Sequence, residues 1–245
     1  MKDNFSKQAV DYSKFRPQYP DEMIEYIISF VNNKSTALDL ATGNGQVAHK
    51  LSAYFKKVFA TDISQKQLDN AIQADNIMYS KESAEKTSFE NRQFDLIVVT
   101  QAVHWFDFDS FYKEIFRILK PAGIFAILGY GLFFTNPDSD KILRTFYYDI
   151  VGPYWDAERK YLDENYETIP FPFEEIPAQK FQNEFIWSFE ILIGYLQTWS
   201  SVQHYISKKN QNPIDLIYDE LKASWQKNDK KVKFPLLLRI GKPDN

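Results

Sequence analysis

The sequence predicts an α/β protein built on a doubly wound, mostly parallel sheet, and three observations carry that prediction. Over the first 130 residues short apolar segments alternate with amphipathic ones at the spacing of βαβ units. A two-glycine turn, Gly43-Asn44-Gly45, separates the first apolar segment from a helical one. Phe94-Asp95-Leu96-Ile97-Val98-Val99-Thr100 is a nearly continuous apolar run, the pattern of a strand covered on both faces.

Taken in order, Arg16-Pro17-Gln18-Tyr19-Pro20 is extended, because each proline disfavours helix in the residue before it. Asp21 is placed to cap a helix whose apolar face is Met23, Ile24, Ile27, Ile28 and Val31. Thr36–Leu40 is the first strand, Gln46 opens the next helix, and Lys57–Thr61 is a second strand ending at Asp62. Ser64 caps a helix with Leu68, Ala71 and Ile72 inward. A short third strand, Asn76–Tyr79, leads to the polar loop Ser83-Ala84-Glu85. After the fourth strand, 94–100, comes a helix marked by Phe111, Ile115, Ile118 and Leu119 and stopped by Pro121 and Gly123. Ile124–Leu128 is the fifth strand.

The rhythm breaks after Gly131. Residues 131–180 are crowded with aromatics and prolines and are too short to bury a core of their own, so they are expected as a cap inserted after the fifth strand. Phe181–Phe189 supplies a sixth strand, Ile191–Ile206 and Ile214–Trp225 two helices, and Val232–Ile240 a closing strand, seven in all. Residues 1–130 and 181–245 then form one core.

Composition narrows the function. A hydrophobic fraction of 44% with 25% charged residues is that of a folded globular chain. A net charge of −4 without a lysine or arginine block argues against a nucleic-acid backbone binder. The absence of cysteine removes disulfides and thiolate chemistry. No cluster of His, Asp and Glu has ligand spacing, so no metal is expected. The amino terminus lacks the apolar run of a signal peptide, and the longest apolar run, 123–134, falls short of the ~20 residues of a membrane helix. A cytoplasmic protein is the expectation.

The glycine turn leaves helix-start N–H groups without internal partners and lets a ligand approach the backbone. Gly43, Gly45 and Ala48 fit G-x-G-x-x-G/A, with Asp62 at about the ~20-residue distance of a ribose-binding acid. That much serves a dinucleotide or a nucleoside. Asp39, inside the first strand, separates the two: a carboxylate there repels a pyrophosphate and suits an ammonium or sulfonium. A purely local role, hydrogen bonding the glycine turn, is the competing reading of Asp39.

Ala37-Leu38-Asp39-Leu40-Ala41-Thr42-Gly43-Asn44-Gly45-Gln46 resembles the first motif of class I S-adenosylmethionine-dependent methyltransferases. Phe94 to Phe106 resembles their fourth-strand motif and Leu119 to Phe125 their fifth. Tyr12 with Arg16-Pro17-Gln18-Tyr19-Pro20 is similar to the opening of the small-molecule subgroup that includes trans-aconitate methyltransferase. The resemblance implies a Rossmann-like seven-stranded sheet with its last strand antiparallel. It also implies that Gly43, Asn44 and Gly45 meet the methionine part of the cofactor, with Asp39 near its amino group. Asp62 would hold the ribose, Ile63 would pack on the adenine, and Ala84 and Glu85 would read the adenine edge. Thr100 and Gln101 would contact the methionine moiety. Separately, Tyr12 and Arg16 suggest an amino-terminal flap over the cofactor, with Arg16 on a carboxylate of cofactor or substrate; pairing of Arg16 with a surface acid is the competing reading. Ala41 stands where the family often has glycine and is expected to take an ordinary backbone conformation.

Methyl transfer from a sulfonium is an in-line displacement, so alignment and exclusion of water are the protein's main tasks. His104 follows the fourth strand at the carboxyl end of the sheet, where ligands bind, and is the candidate base or acceptor-orienting group. Trp105 and Trp199 are candidate walls of the acceptor pocket. The resulting expectation is a methyltransferase acting on a small-molecule acceptor, at oxygen ahead of nitrogen or carbon, with carboxylates among the acceptors. Its rivals are an NAD-dependent oxidoreductase, which requires Asp39 beside a pyrophosphate, and a noncatalytic S-adenosylmethionine-binding protein, which keeps the same loop.

Overall fold

The computed structural model describes residues 15–227 and 229–244. One sheet holds β1 (Thr36–Leu40), β2 (Lys57–Asp62), β3 (Ile77–Lys81), β4 (Phe94–Thr100), β5 (Leu119–Tyr130), β6 (Glu174–Ile176), β7 (Phe181–Ile186) and β8 (Lys231–Lys242). Its order is β3-β2-β1-β4-β5-β8-β6, with β7 also on β8. The five-strand half is parallel, and β8 runs antiparallel to β5. The seven expected strands become eight because β8 has two partners on its outer edge: β7 pairs with Lys231–Leu236 and β6 with Ile240–Lys242. Three residues with one apolar side chain, Glu174-Glu175-Ile176, give β6 no periodic signal.

Helices cover both faces. Those of the first half are α1 (Asp21–Ile28), α2 (Gln46–Ser52), α3 (Gln65–Asp69) and α4 (Phe108–Ile118). Pro20, not Asp21, is the N-cap of α1; Asp21 sits in its first turn and pairs with Lys50 of α2. Ser64 caps α3 by accepting from the Gln67 N–H. Because α3 ends at Asp69, Ala71 and Ile72 lie beyond it, and Ile72 is exposed. Alternate residues of each central strand feed two cores. Ala37, Val98, Ala126 and Phe234 belong to the first core, with the buried faces of α1 and α2, while Leu38, Val99, Phe125 and Leu237 belong to the second, with that of α4.

The second half supplies α5 (Pro137–Thr145), α6 (Lys160–Asp163), α7 (Phe189–Gln197), α8 (Ser200–Lys209) and α9 (Tyr218–Gln226). Trp199, extended at φ −71° and ψ 133°, breaks the helix expected over 191–206 into α7 and α8. Residues 131–180 send side chains into both cores. Phe146, Tyr147 and Trp155 pack on Trp199 in the first core, whereas Tyr166, Ile169 and Phe173 cross to the second. No helix among the described residues is long and apolar enough to cross a membrane.

Two features fix the central strands. Asp95 at the start of β4 accepts hydrogen bonds from the Ser35 and Thr36 N–H groups at 3.2 and 3.0 Å and from Lys120 Nζ at 2.8 Å, pinning β1 against β4 and β5. Beyond β1 the chain turns through three left-handed residues, Ala41 (φ 58°), Gly43 (φ 58°) and Gly45 (φ 79°). The expectation of an ordinary backbone at Ala41 is therefore overturned. The tight turn needs a positive φ there, and alanine adopts it against the clash of its Cβ with the following carbonyl. Ala41→Gly is expected to stabilise the protein by about 1 kcal/mol, a rise in Tm of roughly 2–3 °C for a chain of this size. Thermal unfolding followed by circular dichroism checks it; a lower Tm would mean that the Cβ of Ala41 contributes more by packing than it costs in strain.

Candidate functional site

The carboxyl ends of β1, β2, β4 and β5 surround a cavity that opens to solvent. Ala41–Asn44, Gln46 and Val47 form one wall; Asp62, Ile63, Ser64 and Gln67 form a second. Thr100, Gln101, Ala102, Trp105 and Tyr130 close the far side, and Arg16, Pro17 and Tyr19 lie over it.

Asp39 lies at the bottom, with no solvent exposure. Its Oδ2 accepts from Thr42 Oγ1 at 2.5 Å and from the Ala48 N–H at 2.9 Å, while Oδ1 is buried with no partner among the described residues. It thus combines both readings of the sequence, tying the loop to the helix with one oxygen and holding the other in reserve. Burial pushes its carboxyl up to about 7; the bonds from Thr42 and Ala48 oppose that rise and the nearby Asp62 adds to it. Asp62 is tied to the same loop: its Oδ2 accepts from the Gly43 N–H at 2.9 Å and its Oδ1 from the Ser64 N–H at 2.8 Å. Asp62 also lines the cavity, beside Ile63 and Ser64.

The two glycines do different work. A Cβ on Gly43 would meet nothing within 4 Å, so the space beside it is open to a ligand. A Cβ on Gly45 would lie 2.2 Å from the Tyr79 hydroxyl, and Gly45 does not line the cavity. It is where the loop presses on β3. The Thr100 hydroxyl, like Asp39 Oδ1, is buried without a partner among the described residues. Gln101 is left-handed at φ 56°; its Oε1 accepts from the Tyr130 N–H at 2.9 Å and its Nε2 donates to the Tyr130 carbonyl at 3.3 Å. Arg16 donates to Tyr130 Oη at 3.1 Å and to the Thr198 carbonyl at 3.0 Å, so it ties the amino-terminal stretch across the sheet. Tyr12 lies outside the described residues.

Ala84 and Glu85 do not reach this cavity. Ala84 is packed in the second core, and Glu85 accepts from Ser83 Oγ and from the Asp107 N–H, joining the loop to the start of α4. Ser64, Gln67, Tyr19 and Tyr130 take part instead. Tyr19 belongs to the quoted Arg-Pro-Gln-Tyr-Pro stretch and Tyr130 ends a parallel strand, the two signals that could have marked them.

A second, smaller cavity adjoins the first and shares Arg16, Gln101 and Trp105 with it. Here lie His104, Trp155, Asp156, Arg159, Leu162 and Ser200. His104 is buried, with Nδ1 at 3.3 Å from the Tyr166 hydroxyl. Burial, and then the charge of Arg159, press its pKa down to about 3. It is therefore neutral at physiological pH and a weak base, which favours orienting over proton abstraction. Trp199 lines neither cavity; its ring is enclosed by Phe133, Phe146, Tyr147, Trp155 and Tyr195 and supports the wall from behind.

The unpartnered Asp39 oxygen and Thr100 hydroxyl, the acid at Asp62 and the open space beside Gly43 suit a cationic nucleoside such as S-adenosylmethionine. A family model described as a methyltransferase domain matches residues 38–127, the segment that carries these groups. A methyltransferase of Dictyostelium discoideum is 34% identical over 251 residues, covering 99% of this chain and 95% of that protein. The solved structure of a type II methyltransferase from Anaeromyxobacter dehalogenans superposes with a TM-score of 0.85 at 31% identity, over 94% of this chain and 100% of that one. Phosphoethanolamine N-methyltransferase 2 of Haemonchus contortus, solved with S-adenosyl-L-methionine, shares the fold at a TM-score of 0.50 and 18% identity, over 98% of this chain and 57% of that one. The chain belongs to the class I S-adenosylmethionine-dependent methyltransferases, and S-adenosylmethionine is its cofactor.

Proposed function

We propose that this methyltransferase acts on a small molecule seated in the second cavity and that the methylated atom is an oxygen, a carboxylate oxygen above others. The observation that carries the reading is His104. With a pKa of about 3 it does not take a proton from a hydroxyl or ammonium near neutral pH, whereas a carboxylate arrives already ionised. The cationic lining supplied by Arg16 and Arg159 favours such an acceptor.

S-adenosylmethionine supplies an electrophilic methyl on a positively charged sulfur. The residues of this chain bind and align. Ionised Asp39 offers its unpartnered oxygen to the amino group, and Asp62 accepts the ribose hydroxyls. Gly43 and Asn44 leave room for the methionine part, Thr100 offers its hydroxyl to it, and Ile63 covers the adenine. Ser64 and Gln67, rather than Ala84 and Glu85, are the polar groups beside Ile63. Gln101 and Trp105 belong to both cavities, so they form the boundary across which the acceptor oxygen approaches and from which water is excluded.

Calorimetric titration is expected to give micromolar binding of S-adenosylmethionine and S-adenosylhomocysteine and none of NAD. Asp62→Ala should weaken both adenosyl ligands about 10–100-fold through loss of charged hydrogen bonds. NAD binding of equal strength would overturn the role given to Asp39.

A pH dependence follows from the same carboxylate. In the empty protein the folded Asp39 keeps its proton up to about pH 7, while its unfolded value is 3.8. Stability of the empty protein therefore falls as pH rises between those values. Cofactor affinity runs the other way, because a cation selects the ionised form; the gain is about tenfold between pH 5.5 and 7. Titrations at fixed ionic strength should show this slope, and Asp39→Asn should bind weakly with no slope.

The methylated atom is read chemically. With labelled S-adenosylmethionine and a library of small organic acids, mild alkali should release the transferred label as methanol from a methyl ester. Alkali-stable label would assign nitrogen or carbon instead.

A further inference from the structure

His104 presents its two ring nitrogens to different surroundings. Nδ1 lies 3.3 Å from the Tyr166 hydroxyl, the two ring centres being 6.1 Å apart and the planes 32° from parallel. Nε2 has no hydrogen-bond partner among the described residues, and His104 lines the second cavity. A neutral imidazole carries one ring proton, so the bond made by Nδ1 decides what Nε2 offers to a bound molecule.

Tyr166 lines neither cavity, yet the chain accepts strain to place it. Asn165 and Tyr166 are consecutive left-handed residues, at φ 53° and 62°. A positive φ is unfavourable for a side chain as bulky as tyrosine, and it persists only where the surrounding contacts over-determine it. Those contacts are present. The Tyr166 N–H donates to the Tyr161 carbonyl at 2.7 Å, and the Tyr166 carbonyl accepts from Arg239 Nη1 at 3.2 Å. Arg239 is itself clamped by Glu175, through Nε at 2.8 Å and Nη2 at 2.7 Å. The Tyr166 ring lies so close to Gly129 that a Cβ there would stand 2.5 Å from its Cε2. The outcome is a fully buried ring whose hydroxyl reaches one imidazole nitrogen.

Two pairings fit that distance. In one, Nδ1–H donates to the phenol oxygen and leaves a lone pair at Nε2; in the other, the phenol donates to Nδ1 and leaves Nε2–H. The second joins the stronger donor to the stronger acceptor, because a phenol gives up its proton far more readily than a neutral imidazole N–H. Arg159, in the same cavity, attracts a lone pair and works against it. That charge is partly met elsewhere: Arg159 Nε donates to Tyr147 Oη at 2.7 Å and lies 3.6 Å from Asp163 Oδ1.

We infer that Tyr166 is a positioning residue: its hydroxyl donates to Nδ1 and fixes His104 as the Nε2–H tautomer, so that the imidazole meets the acceptor as a hydrogen-bond donor and not as a base. What Nε2–H meets rests on the acceptor site proposed above, whereas the tautomer itself is a property of the protein alone.

The test is nuclear magnetic resonance of the full chain grown on ¹⁵N-labelled histidine, in which protonated and bare ring nitrogens resonate far apart. The chain has three histidines, and His104→Gln identifies the signals of His104. The parent is expected to show Nε2 protonated and Nδ1 bare. Tyr166→Phe, which keeps the ring and removes the donor, should shift the tautomer ratio about fivefold toward Nδ1–H, the effect of losing one ordinary hydrogen bond. Its Tm should fall by about 2–4 °C. Fluorotyrosine incorporated into the parent makes the phenol more acidic and a better donor, so the measurement does not depend on the variant folding. It should move the Nδ1 signal of His104 upfield and leave that of His204, whose Nδ1 meets the Tyr154 carbonyl, in place. Nδ1–H in the parent, an unchanged ratio in folded Tyr166→Phe, or an unmoved Nδ1 signal with fluorotyrosine would overturn the inference. No acceptor is present in these measurements, so those results leave the acceptor reading standing. Alkali-stable label in the transfer assay would overturn that reading and leave the tautomer.

Discussion

A carboxylate buried at the end of the central strand is the constraint around which the site is built. Asp39 has no exposure, and an isolated charge there would cost several kcal/mol. Three features make it tolerable. Thr42 and Ala48 donate to one oxygen, the proton is retained up to about pH 7, and the cavity above admits a cation. The same two hydrogen bonds close the glycine loop over the start of α2, so the group that disfavours the empty, ionised site also shapes it. Asp62 repeats the device from β2, holding Gly43 and Ser64 by their N–H groups. The loop is thus suspended between two acids, and the negative field that results is balanced when the ligand is positive.

Backbone strain collects around the same cavity. Ala41 and Gln101 are both left-handed, at φ 58° and 56°, one just past β1 and the other just past β4. For residues with a Cβ this costs about 1–2 kcal/mol each. At Gln101 the surrounding structure accounts for it, since the side-chain amide pairs with the backbone of Tyr130 in both directions and the backbone N–H donates to the Leu128 carbonyl. The turn aims the chain off the sheet edge and into the wall shared by the two cavities.

The parallel half of the sheet was legible because each strand is buried on both faces and announces itself by a continuous apolar run, Phe94–Thr100 above all. The loop chemistry was legible for a related reason: Asp39, Gly43 and Asp62 act through residue type at fixed spacing. Ala41 was misjudged because positive φ is a property of the turn and not of the residue that fills it. The region after Gly131 was legible only as a change of rhythm. Its aromatics divide between two cores on opposite faces of the sheet, and Trp199, taken as a pocket wall, is surrounded by five of them. Burial of a large ring inside a helical cap and exposure of one at its surface have the same periodicity, so sequence alone does not separate them. Glu85 lies off the cavity for a simpler reason: a carboxylate in a loop beside a helix start satisfies an Asp107 N–H as readily as a ligand.

His104 shows how the cap changes the chemistry available to the sheet. Position alone, just after β4, makes it a candidate base. The cap then delivers Tyr166 to its Nδ1 and Arg159 to its neighbourhood, and the pair of burial and positive charge removes its proton affinity. In the proposed reading a base so weakened suits an acceptor that needs no deprotonation, and the arginine that weakens it lines the same cavity. The two consequences come from one placement. A guanidinium next to a buried imidazole opposes its protonation and at the same step adds positive charge to the cavity wall, so in the proposed reading acceptor charge and reaction type follow from one placement.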